Sequence, residues 1–200
     1  MELYISLTSP YARKARMVVI EKGLEDSVQI KPVIPWDNPP ELTEKNPLSQ
    51  VPVLVLDNGE NLFDSRVICA YLDELNNEPQ LIPSGGFERI SVMRMEALAD
   101  GMTDAAVATF FARQANGDNP DTPAIERQLN KIFATLNLMQ DGLPDFSGKL
   151  NLGTIAYGAS LSYLDLRYAE LKWRERVPQL ASWFEEIDKR PAMIETVPVT

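Results

Sequence analysis

The stretch TSPYARKAR, residues 8–16, lies where a short alternating apolar strand gives way to a helix. Pro10 suits the first turn of a helix, and Ser9 before it is a favoured N-cap residue. A Cys-x-x-Cys motif at such a junction would indicate a thiol redox protein. Here Ser9 and Ala12 occupy the two outer positions, so neither position supplies a thiol. Two alternatives stay open at this point: a redox site that has lost its cysteines, or a site for other thiol chemistry.

The composition narrows the possible chemistry. Of the 200 residues, 44% are hydrophobic and 24% are charged, as in ordinary globular proteins. Histidine is absent, which excludes Ser-His-Asp and Cys-His catalysis and argues against zinc. The formal net charge of −10 argues against a nucleic-acid binder. We therefore expect a function built from hydroxyls, carboxylates, backbone groups and arginines, with no metal.

The sequence contains few indications of the cellular compartment of the protein. No apolar run approaches the length of about 18 residues that a membrane span needs, and no signal-peptide pattern is visible. The single cysteine, Cys69, cannot form an internal disulfide, which is consistent with a reducing compartment. We therefore expect a cytoplasmic protein without a membrane partner.

Residues 1–76 alternate short strands with helices. Period-2 and helical patterns predict strands near 3–7, 28–33, 53–56 and 61–63, and helices near 10–22, 41–45 and 65–75. An Asn-Gly turn joins the last two strands into a hairpin. Strands joined by a crossover helix pair in parallel, whereas hairpin strands pair antiparallel. The order βαβαββα therefore predicts a mixed four-stranded sheet.

The rest of the chain shows helical patterns only. Helices are predicted near 87–115, 122–141, 154–172 and 178–189, with breaks at 116–123 and 141–148. Residues 77–86 are polar and rich in proline and glycine, as in a linker. The fold class is thus an α/β domain followed by an all-α domain, with boundaries at 1–76, 77–86 and 87–200.

Three cations, Arg13, Lys14 and Arg16, cluster on the first predicted helix of this acidic chain. The simpler interpretation is a solvated helix face. The alternative is a local positive potential beside an anionic ligand.

A mixed sheet of this order followed by a helical half resembles the soluble glutathione transferase superfamily over essentially the whole chain. The resemblance rests on Ser9-Pro10, Asn46-Pro47, Val51-Pro52-Val53-Leu54, Asp64-Ser65 and the helix near Thr154. The first of these is similar to serine-type bacterial and plant tau-like members. The resemblance implies a thioredoxin-like domain that binds glutathione as co-substrate and a helical-bundle domain that contacts a small-molecule electrophile. It also implies a homodimer.

By this resemblance Ser9 is the catalytic residue, and its hydroxyl donates to the glutathione sulfur. Lowering a thiol pKa of about 8.5 by about 2 pH units requires about 2.7 kcal/mol. A hydrogen bond to a charged group gives about 1.5–3 kcal/mol, and a helix N-terminus about 0.3–1 kcal/mol. These two contributions suffice without histidine or metal. A structural alternative remains, because serine before proline caps many helices.

The resemblance also assigns the binding residues. It implies a cis peptide bond at Val51-Pro52, with the Val51 backbone pairing with the cysteinyl part of glutathione. Asp64 and Ser65 would hold the γ-glutamyl end, the acid facing its ammonium group and the hydroxyl its carboxylate. Gln50 would reach the glycyl end. On the residues alone, Pro52 could merely start a strand and Ser65 could merely cap a helix.

The sequence departs from the family near Thr154, where a Ser/Thr-x-x-Asp capping box is expected. Tyr157 stands at the acidic position, so we expect a helix start weakened by about 1 kcal/mol. Tyr157 is interpreted as a structural residue, with a place in the substrate cleft as the alternative.

The predicted function is therefore glutathione transfer to a small hydrophobic electrophile, or peroxide reduction. The alternative is a non-catalytic glutathione-binding or regulatory member of the same fold. A cysteine-type oxidoreductase is excluded, because position 9 offers no sulfur for a mixed disulfide.

Overall fold

Alternating apolar residues build the centre of a four-stranded sheet. The computed structural model describes residues 1–76, 78–117, 122–143 and 150–198. Its strands are β1 (Glu2–Ile5), β2 (Gln29–Pro32), β3 (Val53–Val55) and β4 (Asn61–Leu62). They lie in the order β2-β1-β3-β4, with β2 parallel to β1 and with β1–β3 and β3–β4 antiparallel. The predicted mixed sheet is confirmed.

Helices separate these strands as the sequence predicts. They are α1 (Pro10–Glu21), α2 (Pro40–Thr43) and α3 (Ser65–Glu74), and α1 packs against α3. Gly23 follows α1 with φ of +63°, a backbone conformation that glycine adopts without steric cost. On α3 the buried face includes Ile68, Cys69 and Leu72, whereas Val67 is exposed.

The described residues of the second half form helices and the loops between them, with no strand among them. Its helices are α4 (Gly86–Asn116), α5 (Pro123–Asp141), α6 (Leu152–Arg167), α7 (Trp173–Arg176), α8 (Pro178–Ile187) and α9 (Pro191–Glu195). The predicted helix over 154–172 is wrong in its extent, because α6 ends at Arg167. The short helices α7 and α9 were not predicted. Most of the two predicted breaks, at 118–121 and 144–149, lies outside the described residues.

The start of α6 corrects the prediction made for Thr154. The helix begins at Leu152, and its N-cap is Asn151, three residues before the predicted cap at Thr154. The Asn151 side chain accepts from the Thr154 amide at 3.0 Å, and the Thr154 hydroxyl accepts from the Asn151 amide at 3.0 Å. This is a complete capping box with Thr154 in the N3 position. Tyr157 therefore replaces no capping acid, and the physical basis for a weakened start is gone.

Packing divides the chain into two units. The first unit comprises Met1–Gly86 and the residues from Arg190 onward, and the second comprises Phe87–Lys189. The predicted boundaries at 76 and 87 stay a prediction. Leu81 and Ile82, in the predicted linker, are buried and donate their amides to Asp73 at 2.9 and 2.8 Å. In the described ranges, every helix is too short or too polar to cross a bilayer.

Candidate glutathione site

Ser9 caps α1 and lies four residues after the end of β1. Its Oγ accepts from the Ala12 amide at 3.2 Å, and its carbonyl accepts the first helical hydrogen bond, from the Arg13 amide, at 2.9 Å. A hydroxyl oxygen that accepts one hydrogen bond still has its own hydrogen to donate. The first turn of α1 carries no acidic residue, so its positive partial charge is not neutralised from within that turn. Ser9 is half-buried.

The loop before β3 contains the predicted cis bond. Val51-Pro52 is cis, which confirms that prediction. Asn46 holds this loop: its side-chain amide donates to the Gln50 carbonyl at 2.9 Å, and its Oδ1 accepts from the Leu48 amide at 3.0 Å. Asn46 is buried, and Val51 packs against the cluster of Tyr4, Leu42 and Val53. Asn46-Pro47 contributes to the family resemblance, but no local pattern predicts this anchoring role of Asn46.

At α3 the structure corrects the assignment of the N-cap. The cap is Asp64, whose Oδ1 accepts from the Arg66 amide at 3.0 Å, and Ser65 is the first residue within the helix. Asp64 is exposed, whereas Ser65 is 2% exposed. A carboxylate is as good a cap as a hydroxyl, which explains why the sequence alone could not choose between the neighbours.

Strand register places these segments at one edge of the sheet. Tyr4 of β1 pairs with Val53 of β3, so the chain leaves β1 toward Ser9 at the edge where β3 begins. Leu62 of β4 pairs with Leu54, so β4 leads into Asp64 at the same edge. The N-termini of α1 and α3 and the Val51-Pro52 loop therefore share this edge. Two helix N-termini at one edge favour an anionic ligand there.

The remaining predicted residues have different surroundings. Gln50 is exposed and adjoins this loop. The interpretation of Arg13, Lys14 and Arg16 as a solvated face is wrong, because Arg13 and Lys14 are 4% and 1% exposed. Burial also lowers the pKa of Arg16. The Arg13 guanidinium donates to Met193 and Thr196, about 180 residues further on, and no local sequence signal predicts such contacts. Among the described residues, no group of three or more His, Cys, Asp or Glu side chains is arranged to hold a metal ion.

A thioredoxin-like sheet with this strand order, followed by a helical unit, defines a protein of the glutathione transferase type. Family models agree: the glutathione S-transferase N-terminal domain matches residues 8–75, and the C-terminal domain matches residues 122–186. The GST-like protein YibF of Escherichia coli K12, itself uncharacterized, is 31% identical over 99% of this chain and 98% of its own length. The chain belongs to the glutathione S-transferase family.

Solved structures agree with this assignment. A glutathione transferase family member from Pseudomonas fluorescens Pf-5, with bound glutathione, superposes with a TM-score of 0.95. It is 33% identical and covers 100% of this chain and 99% of its own. A glutathione S-transferase from Methylobacillus flagellatus KT, with glutathione bound, is 40% identical at a TM-score of 0.91, covering 99% of each chain. The predicted thioredoxin-like plus all-helical fold is confirmed.

Proposed function

We propose that this protein is a serine-type glutathione transferase-like enzyme. It binds glutathione on the first unit, lowers the pKa of its thiol and transfers the thiolate to a small hydrophobic electrophile, or uses it to reduce a peroxide. The observation that carries the proposal is Ser9 at the N-cap of α1, with its oxygen anchored to the Ala12 amide and its hydrogen left to donate.

The mechanism follows from that geometry. The Ser9 hydroxyl donates to the glutathione sulfur, and the positive end of α1 adds to the stabilisation of the thiolate. The thiol proton leaves to solvent. The thiolate electron pair then forms a bond to the electrophilic carbon, and the displaced group carries away the electrons of the broken bond. This chain's own contribution is to hold the sulfur and favour its ionised form.

The shared sheet edge supplies the other contacts of the proposed site. The Val51 backbone beside Pro52 pairs with the cysteinyl part of glutathione. Ser65, at the start of α3, receives the γ-glutamyl carboxylate, and Asp64 faces the ammonium group. Gln50 reaches the glycyl end. Glutathione in the Pseudomonas and Methylobacillus relatives supports this ligand.

Three features of the proposal come from family resemblance. The helical second unit contributes side chains for the electrophile, the protein is a homodimer, and it is a bacterial serine-type or tau-like member of the family. A further Pseudomonas structure, 33% identical with a TM-score of 0.90, contains S-(propanoic acid)-glutathione, which supports glutathione conjugates as ligands. The cytoplasmic location stays a prediction.

The test combines glutathione binding by calorimetry with conjugation of chlorodinitrobenzene. Ser9→Ala removes the donor to sulfur, so we expect kcat/KM to fall about 10- to 100-fold, corresponding to about 1.5–3 kcal/mol. Thr8→Ala is the matched control, because it removes a neighbouring hydroxyl that contacts Ser6. Tight binding without turnover, unchanged by Ser9→Ala, would instead establish the non-catalytic alternative. Ser9→Cys should create thiol-transfer activity, and its absence would mean that position 9 does not face the sulfur.

A further inference from the structure

The helix that carries Ser9 is fastened to the C-terminal end of the chain. Arg13 Nη2 donates to the Met193 carbonyl at 2.9 Å, and Arg13 Nε donates to Thr196 Oγ1 at 3.1 Å. Thr196 is fully buried, and its hydroxyl in turn donates to the Ala192 carbonyl at 2.6 Å. Arg13 is therefore held by two acceptors in and just beyond α9.

These contacts give hydrogen-bond partners to the carbonyl groups at the end of α9 as well as to the arginine. The last carbonyls of a helix have no partner within it, and cationic side chains there are favourable. Met193 lies in the last turn of α9, and Arg16 Nη2 donates to the Glu195 carbonyl at 3.1 Å. Two arginines of α1 thus donate to the C-terminal carbonyls of α9, which fixes one helix against the other.

Arg13 is also the residue that closes the first turn of α1. Its amide donates to the Ser9 carbonyl, so the same residue links the Ser9 cap to α9. A second attachment joins the other end of α1 to the same C-terminal segment: Arg190 donates to both carboxylate oxygens of Glu21 at 2.8 and 2.7 Å. Glu21 lies about 18 Å along the helix from Ser9, at about 1.5 Å per residue.

We propose that Arg13 is a positioning residue, which holds the first turn of α1 on α9 so that the Ser9 hydroxyl keeps its orientation toward the thiol. This inference rests on the proposed function. The Arg190–Glu21 pair also attaches the C-terminal segment, but it acts at the far end of α1 and does not set the Ser9 geometry. Displacement of a reacting group by about 1 Å costs about 10²-fold in rate, so a moderate loosening of this turn has a large effect.

The experiment compares variants that loosen the same segment at the two ends of α1. Arg13→Met removes the donors while keeping an unbranched side chain, Thr196→Val removes the acceptor at nearly constant volume, and Arg190→Gln is the matched control.

The ultraviolet absorbance of the thiolate reports the pKa of bound glutathione. We expect Arg13→Met to raise that pKa. At pH values below the wild-type thiol pKa, kcat should fall about tenfold, whereas KM for glutathione should stay within about twofold of the wild-type value. Thr196→Val should act in the same direction, and Arg190→Gln should leave the thiol pKa unchanged.

A second measurement does not depend on activity. Amide hydrogen exchange at Ala12 and Arg13 should speed up in Arg13→Met and Thr196→Val but not in Arg190→Gln. Should all three variants lower stability yet leave both the thiol pKa and this exchange unchanged, Arg13 is only structural and the proposal is overturned. A wild-type protein that fails to lower the thiol pKa refutes the proposed function itself, and the positioning role with it, whatever the exchange shows.

Discussion

Lys22 and Asp73 form a buried ion pair within the first unit, with Nζ 2.9 Å from Oδ1 and side chains 0% and 6% exposed. Lys22 Nζ also contacts the carbonyls of Asp73, Asn76 and Pro79, and the Asp73 carboxylate accepts the Leu81 and Ile82 amides. The pair therefore holds the end of α3 and the segment after it in one network. Buried charges depend on such complete sets of partners.

Asp73→Asn should lower the free energy of unfolding by about 3–5 kcal/mol, because it leaves the buried Lys22 ammonium without its counter-ion. Glu186→Gln is the matched control: the Glu186–Lys189 pair is exposed, so its loss should cost no more than about 1 kcal/mol. Urea denaturation of both variants measures the difference. Equal losses of unfolding free energy in the two variants would show that the Lys22–Asp73 network does not stabilise the fold more than an exposed ion pair does.

Local sequence patterns were sufficient for the sheet, because period-2 alternation and the Asn-Gly turn are short-range signals. They were insufficient for Arg13 and Lys14, since a cation on a helix has the same local pattern whether its partner is solvent or a distant segment. The same limit applies to Ser65. Two adjacent residues that both cap helices well give no local preference, and only the backbone shows that Asp64 is the cap. The residues of the proposed site were therefore identified by family resemblance, and their surroundings by the structure.

Gly153, in the first turn of α6, should not tolerate a side chain. A Cβ there would lie 2.5 Å from the Met95 Cβ and 3.1 Å from the Asn151 Oδ1 that caps the helix. Gly153→Ala should therefore destabilise the protein by about 1–3 kcal/mol through overpacking.

Gly101, inside α4, provides the opposite control. A Cβ at Gly101 meets nothing within 4 Å, so Gly101→Ala should stabilise by about 0.5–1 kcal/mol through helix propensity. Thermal unfolding of both variants tests the contrast. If both variants shift the melting temperature in the same direction, Met95 does not pack closely against α6 at Gly153.

Tyr157 should make stability fall at alkaline pH. Burial raises its pKa to about 12 against a lesser opposing effect of Arg94, and its ring packs edge-to-face on Trp183. In the unfolded chain the phenol ionises near pH 10. Between about pH 10 and about pH 12 the unfolded state loses the proton and the folded state keeps it. The stabilising contribution is therefore full below the unfolded pKa and is lost as pH rises through the folded pKa.

The matching measurement is the free energy of unfolding against pH for wild type and Tyr157→Phe. Burial raises the pKa of Tyr163 and Tyr168 as well, so both proteins should lose stability at high pH. The wild type should lose up to about 2.7 kcal/mol more, at 1.36 kcal/mol per pKa unit. Parallel curves for the two proteins would show that Tyr157 ionises as easily folded as unfolded.

Two substitutions of Asp64 can distinguish its role as a helix cap from its proposed role in binding glutathione. Asparagine caps helices as well as aspartate does, so Asp64→Asn should leave stability unchanged within about 0.5 kcal/mol. It removes the negative charge proposed to face the γ-glutamyl ammonium, so the Kd for glutathione should rise about tenfold, corresponding to about 1.4 kcal/mol. Asp64→Ala should show the same loss of affinity and an additional stability loss of about 1 kcal/mol, because the Arg66 amide loses its acceptor. Calorimetric titration with glutathione and urea denaturation measure the two effects independently. If Asp64→Asn binds glutathione as tightly as wild type while Asp64→Ala only loses stability, Asp64 is a cap alone and the ammonium group lies elsewhere.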